Sequence, residues 1–191
     1  MALSKIDVAN MLTGATPVAN GGTALTSGFS NGITMADQWR LSADKDYGSS
    51  ANAIEFYTAN LERIDTSGQG TIGSAMTESS GVFTFPSTGI YKVDCHLSFA
   101  RNNHLVQYVG GGIQATVNNS AYNIMSFGYD NMPDSADTSA DVTCTTLIDV
   151  TNTANVKVKF YAIASDASSF ASRGSSSQNS THFNFLRLGD T

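Results

Sequence analysis

The sequence predicts an all-β protein, a two-sheet sandwich behind a short N-terminal arm. The first observation is alternation. In GIYKVDCHLSFA (89–100), Tyr91, Val93, Cys95, Leu97 and Phe99 fall at every second position, with Lys92, Asp94, His96 and Ser98 between them. Successive side chains on a strand point to opposite faces, so such a segment has one apolar and one polar face. The second is that no stretch beyond residue 32 shows the three-and-four spacing of an amphipathic helix. The third is composition. Only 14% of the 191 residues are charged, and the polarity comes from the Ser, Thr, Asn and Gly that build turns. A chain of this length can bury one sizeable core.

The elements follow in order. Residues 1–32 form an arm distinct from the domain at 33–191. SKIDVANML within the arm predicts a two-turn helix, with Ser4 as N-cap and Gly14 just past its end. TPVANGGTALTSGFSNG then lacks periodicity and buries too little to fold alone, so it becomes ordered on a partner. Strands are predicted near 37–43, 61–66, 81–85, 89–100, 104–117, 121–128, 140–150, 155–164 and 181–188. Phe83 and Phe85 alternate like the strand after them, and Pro86 and Gly89 punctuate the join, which reads as a hairpin. Gly110, Gly111 and Gly112 interrupt the strand at 104–117, marking a bulge or a close backbone approach. Val142, Cys144, Thr146, Ile148 and Val150 share one face. Val156, Val158, Phe160 and Ala162 share another, with Lys157 and Lys159 opposite. Many short strands separated by turns mean a sandwich or barrel. Alternation assigns Phe83, Phe85, Tyr91, Val93, Phe99, Phe160, Phe183 and Phe185 to the core or to a subunit contact. Tyr108, Tyr122, Phe127, Tyr129, Tyr161 and Phe170 stay open between binding anchors and interface strand residues.

Charge and hydropathy exclude several partners. The net charge is -6 and the few Lys and Arg are scattered, so nothing tracks a phosphate backbone and nucleic acid is not expected. No apolar run is long enough to insert in a membrane. MALSKIDVANML lacks the basic-then-apolar order of a secretory leader, so Sec export is not expected. Cys95 and Cys144 read as buried free thiols in a reducing compartment. A disulfide would require their strands to face each other across the core.

Motifs for chemistry are weak. Gly110, Gly112 and Ala115 match G-x-G-x-x-A, but TVNNS follows where a phosphate-binding helix should start. Asp44, Asp46 and Glu55 echo a calcium loop, yet Gly48 and Ser49 stand where that loop needs an oxygen donor and a glycine. Asp130, Asp134, Asp137 and Asp141 are the calcium candidates; no other metal or cofactor is expected. His96, His104 and His182 have no nucleophile motif beside them and read as surface or interface residues. A glycosidase would need placed carboxylates, and no motif organises Glu55, Glu62 and Glu78. An enzyme is not expected.

Two resemblances carry the functional expectation. GVFTFPSTGIYKVDCHLSFA, through Gly81, Phe83, Pro86, Gly89, Tyr91, Val93 and Phe99, resembles a segment of complement component 1q and tumour-necrosis-factor-like jelly rolls. THFNFLRLGDT is similar to their closing strand through Phe183 and Phe185, and the resemblance spans roughly residues 35–191. It departs from the secreted members in lacking their collagen-like stalk. It implies a homotrimer joined through an apolar sheet face, in keeping with apolar residues on both sides of some strands, such as Ile90 beside Tyr91 and Leu147 beside Ile148. LTGATPVANGGTALTS resembles a segment common in bacteriophage tail fibres and virion appendages, with Ala24 where that pattern has Gly. ADQWRLSAD and NLERIDTSGQGTIGSAMTESSG resemble virion proteins of marine and cyanobacterial phages.

Together these imply a trimeric virion structural protein, a capsid decoration, head-fibre or appendage protein assembled in the host cytoplasm. Its docking residues would be Val8, Met11, Leu12, Pro17, Val18, Asn20, Gly21 and Gly22. Its partners would be itself and the major capsid protein or a tail component. The alternative is a tail-fibre-like receptor-binding protein. It would grip host surface glycan through loops 129–141 and 165–180, with Phe170 for stacking.

Overall fold

The computed structural model describes residues 32–47, 51–101, 107–132, 138–166 and 170–191. Apart from Gly32, the arm and its docking residues lie outside the described residues. The described chain forms a jelly-roll sandwich of two antiparallel sheets, with no helix among the described residues. Its strands are β1 (Ala36–Leu41), β2 (Lys45–Asp46), β3 (Glu55–Phe56), β4 (Leu61–Arg63), β5 (Thr77–Ser79), β6 (Val82–Thr84), β7 (Gly89–Arg101), β8 (Tyr108–Thr116), β9 (Asn123–Asn131), β10 (Ser139–Val150), β11 (Lys157–Ala164), β12 (Phe170–Ser172) and β13 (His182–Gly189).

β7 organises the first sheet. Along one edge β10 pairs with it from Gly89↔Val150 to Ala100↔Ser139. Along the other, β13 and β12 pair in succession; β1 continues from β13 to β4, and β2 pairs with β12. In the second sheet β11 is central. β8 and then β9 lie on one side of it, and β3 and β6 share the other, with β5 beyond β6.

Alternation in β7 decides which residues reach the interior. Tyr91, Val93, Cys95, Leu97 and Phe99 are fully buried, while the residues between them are half-buried on the outward face. All eight residues expected in core or trimer are enclosed within one chain. They fill the space between the sheets and are not subunit contacts. Phe160 of the second sheet stacks on Phe183 of the first, with centroids 4.1 Å apart; Phe83 lies 5.1 Å from Phe185, and Phe85 4.7 Å from Tyr91. Burying one such ring contributes about 1.5–3 kcal/mol.

GVFTFPSTGIY is not a hairpin. β6 belongs to the second sheet and β7 to the first, so the Pro86–Gly89 join is a corner between sheets. Phe85 and Tyr91 approach each other from opposite layers, which paired neighbours in one sheet could not do. The true hairpin lies one strand earlier. Ser80 and Gly81, both with positive φ (51° and 82°), form the two-residue loop between Ser79 and Val82. Such a loop matches the right-handed twist of its strands. A side chain at Gly81 would overlap the Tyr57 carbonyl.

The three glycines do not break their strand. They sit in mid-β8, and the irregularity in this ladder falls at Ile113–Gln114. What they provide is the close approach. A β-carbon at Gly110 would meet the Tyr129 ring, one at Gly111 the Tyr161 carbonyl, and one at Gly112 the Ser126 carbonyl.

Candidate functional site

Three surfaces stand out. The first is the outward face of the first sheet. Its rows run across neighbouring strands: His182, His96, Thr143; then Asn184, Asp94, Thr145; then Leu186, Lys92, Leu147. The polar end forms a shallow concavity of about 480 Å3, bordered by Asp94, His96, Thr143, Asn179 and His182. The His96 and His182 rings lie 5.2 Å apart at 34°. Thr145 donates to Asp94, which Lys92 also contacts at 3.0 Å. His182 packs Nδ1 against the Asn179 carbonyl at 3.1 Å. Burial, and then the neighbouring His96, lower the proton affinity of His182.

Thr143, His96 and Asp141 line up as hydroxyl, imidazole and carboxylate. His96 Nδ1 is 3.2 Å from Thr143 Oγ1, and Nε2 is 3.5 Å from Asp141 Oδ1. The carboxylate of a working triad is buried and tightly bonded to its histidine; the Asp141 side chain is 55% exposed. The glutamates considered for glycoside hydrolysis are each engaged elsewhere. Glu55 pairs with Lys45 at 2.8 Å, Glu62 holds the fully buried Arg40, and Glu78 accepts from the Gly81 amide at 2.6 Å.

The calcium candidates do not converge among the described residues. Asp130 is on β9 of the second sheet, where it accepts from the Asn131 amide, and Asp141 is on β10 of the first. Asp134 and Asp137 lie outside the described residues, as does His104. The described residues hold no group of three His, Cys, Asp or Glu placed to bind a metal. Asp44, read as part of a weak calcium loop, accepts from the Gly174 amide at 2.7 Å.

Cys95 and Cys144 are both buried and free. They do not face each other across the core. They sit directly opposite in the β7–β10 ladder, side by side on one sheet's inner face. Their mutual hydrogen bond, and then burial, push the Cys95 thiol up, which keeps it protonated. Cys144 Sγ also reaches the Gly111 carbonyl at 3.5 Å.

The second surface is the side where β9 and β10 end the two sheets. Among the described residues each pairs with one neighbour only, so two long strand edges are uncovered. Ile124, Met125 and Leu147 are exposed on these strands, Leu147 by 63%.

The third is the outward face of the second sheet. Tyr161, Gly112 and Phe127 form one row across β11, β8 and β9; Ile163, Gly110 and Tyr129 form the next. Tyr161 is buried, with Phe56 edge-on at 6.4 Å, and burial pushes its hydroxyl up to about 12. Phe127 and Tyr129 are 58% and 55% exposed. Tyr108 meets Tyr129 at 5.2 Å and 81°, and Phe127 meets it at 5.7 Å and 71°. Phe170, expected to stack on a ligand, is buried instead, flat against Tyr47 at 4.1 Å.

Solved structures share the architecture. Murine APRIL at pH 5.0 matches with a TM-score of 0.55 at 10% identity, over 81% of this chain and 98% of that one. Eiger TNF from S. frugiperda matches with a TM-score of 0.52 at 10% identity, over 84% of this chain and 96% of that one. No family model matches the chain, and no curated protein matches it. At this identity the likeness shows the tumour-necrosis-factor-like fold alone.

Proposed function

We propose that the chain is a non-enzymatic, homotrimeric structural protein of a phage particle, fastened by residues 1–32 and presenting its jelly roll outward. The observation that carries self-association is the pair of long uncovered edges at β9 and β10, with Ile124, Met125 and Leu147 exposed on them. Such edges invite uncontrolled pairing, and a closed rotational assembly covers them. The outward face of the first sheet, apolar at Leu147 and Leu186, extends the contact. LTGATPVANGGTALTS supports attachment to a particle through the major capsid protein or a tail component. Binding through three linked copies multiplies weak contacts without any catalytic group. Capsid decoration is favoured over an appendage because no shaft separates the arm at 1–32 from the domain at 33–191.

Mass spectrometry of purified particles tests the assignment. The chain should be present in stoichiometric amounts; its absence from particles sinks the proposal. The alternative, glycan recognition by loops 129–141 and 165–180, loses its stacking residue because Phe170 is part of the core.

A further inference from the structure

We propose that the aromatic trough on the outward face of the second sheet binds a neutral saccharide. The glycines of β8 strip side chains from its middle strand, and the Tyr129 ring of β9 leans over Gly110. Beside that ring, where β8 begins and β9 ends, lies a cavity of about 370 Å3 lined, among the described residues, by Tyr108, Tyr129 and Asn131. That lies at the small end of ligand sites, which run to about 300–1,000 Å3.

The chemistry of the lining selects the ligand. A pyranose ring offers a face of C–H bonds and a rim of hydroxyls. It needs an exposed aromatic ring beneath it and groups at the edge that both donate and accept. Phe127 and Tyr129 supply rings more than half exposed. The Tyr129 hydroxyl and the Asn131 amide supply the two-way hydrogen bonding. The Tyr108 ring is fixed by its hydroxyl, which donates to Asn52 Oδ1, and Asn52 is itself tied through its amide to the Ala164 carbonyl at 2.8 Å. A rim held in place before binding loses less freedom when the ligand arrives.

Charge narrows the class. Among the described residues no cation lines the cavity, and the one cation on this face described with aromatic partners, Lys159, is spent over Phe56 and Tyr122 at 4.3 and 3.7 Å. Asp130 adjoins Tyr129 and Asn131, and the chain carries a net charge of -6. An anionic sugar would be repelled where a neutral one is not. A trough a few side chains wide is too small to be a stable protein contact by itself, which buries about 1,200 Å2 or more.

The inference stands independently of the particle assignment and is tested on the full chain in solution. Soluble cello-, malto-, chito- and mannohexaose are titrated by calorimetry, with a heparin hexasaccharide as the anionic control. At least one neutral oligosaccharide should bind saturably. Tyr129→Ala and Phe127→Ala should each weaken it by about tenfold or more, without changing oligomer mass. Phe127→Ala keeps the test open should Tyr129→Ala fold poorly, since the Tyr129 ring packs over Gly110. Binding of heparin alone, saturation by no neutral sugar, or unchanged affinity in both variants overturns the proposal. Dissociation of the oligomer by either variant also overturns it, by making the trough a contact between copies.

Discussion

Phe183 shows how much one side chain can carry here. It is fully buried between Phe160, Tyr57 and Phe83, so truncation leaves a hole that the two sheets cannot close. Phe183→Ala should cost about 3–5 kcal/mol, read as a lower denaturant midpoint at unchanged m-value. His182 gives a pH dependence of defined sign. Its affinity for a proton is lower in the folded chain than in the unfolded one. The unfolded chain therefore binds the proton first as pH falls. The stability linked to this group is complete above about pH 6.5 and declines as pH drops through the folded value. His182→Gln should flatten the fall in Tm between pH 7 and pH 5; an identical slope in both proteins would refute the assignment. Both thiols should resist a polar thiol reagent in the native protein and react once it unfolds, because both cysteines are buried.

At the scale of elements, the β5–β6 turn is the most exacting. Gly81→Ala combines a left-handed φ with overlap on the Tyr57 carbonyl and should destabilise by at least about 1 kcal/mol in thermal melts. The long strands were legible in the sequence because period-two burial over many residues leaves a pattern, as in β7 and β10. β2, β3, β5 and β12 were not: two or three residues show no period unless the flanking residues extend the alternation, as Phe85 does beyond β6. Pro86 and Gly89 misled because a break in the chain looks the same whether it turns a hairpin or rounds a corner. The partnership of Cys95 with Cys144 was hidden for a related reason: alternation places each on an inner face but says nothing of which strand lies alongside. The aromatic trough was half visible. Tyr108, Phe127 and Tyr129 could be named but not placed, because alternation tells which residues share a face and not whether that face is covered.

At the scale of the whole molecule, the prediction is a closed trimer. Light scattering should return three times the 20.1 kDa chain mass, and Leu147→Lys should shift the population toward monomer. A monodisperse wild-type monomer would refute both. The strand order has a further consequence, for synthesis. β13 follows every other described strand, yet it lies in the middle of its sheet, between β7 and β1, and brings Phe183 and Phe185 into the core. Until residues 182–189 leave the ribosome, β1 lacks its main partner and the rings of Phe83 and Phe160 lack their contacts with Phe183 and Phe185. The core therefore cannot close completely until this segment is translated, which leaves apolar surface on Phe83 and Phe160 exposed during synthesis.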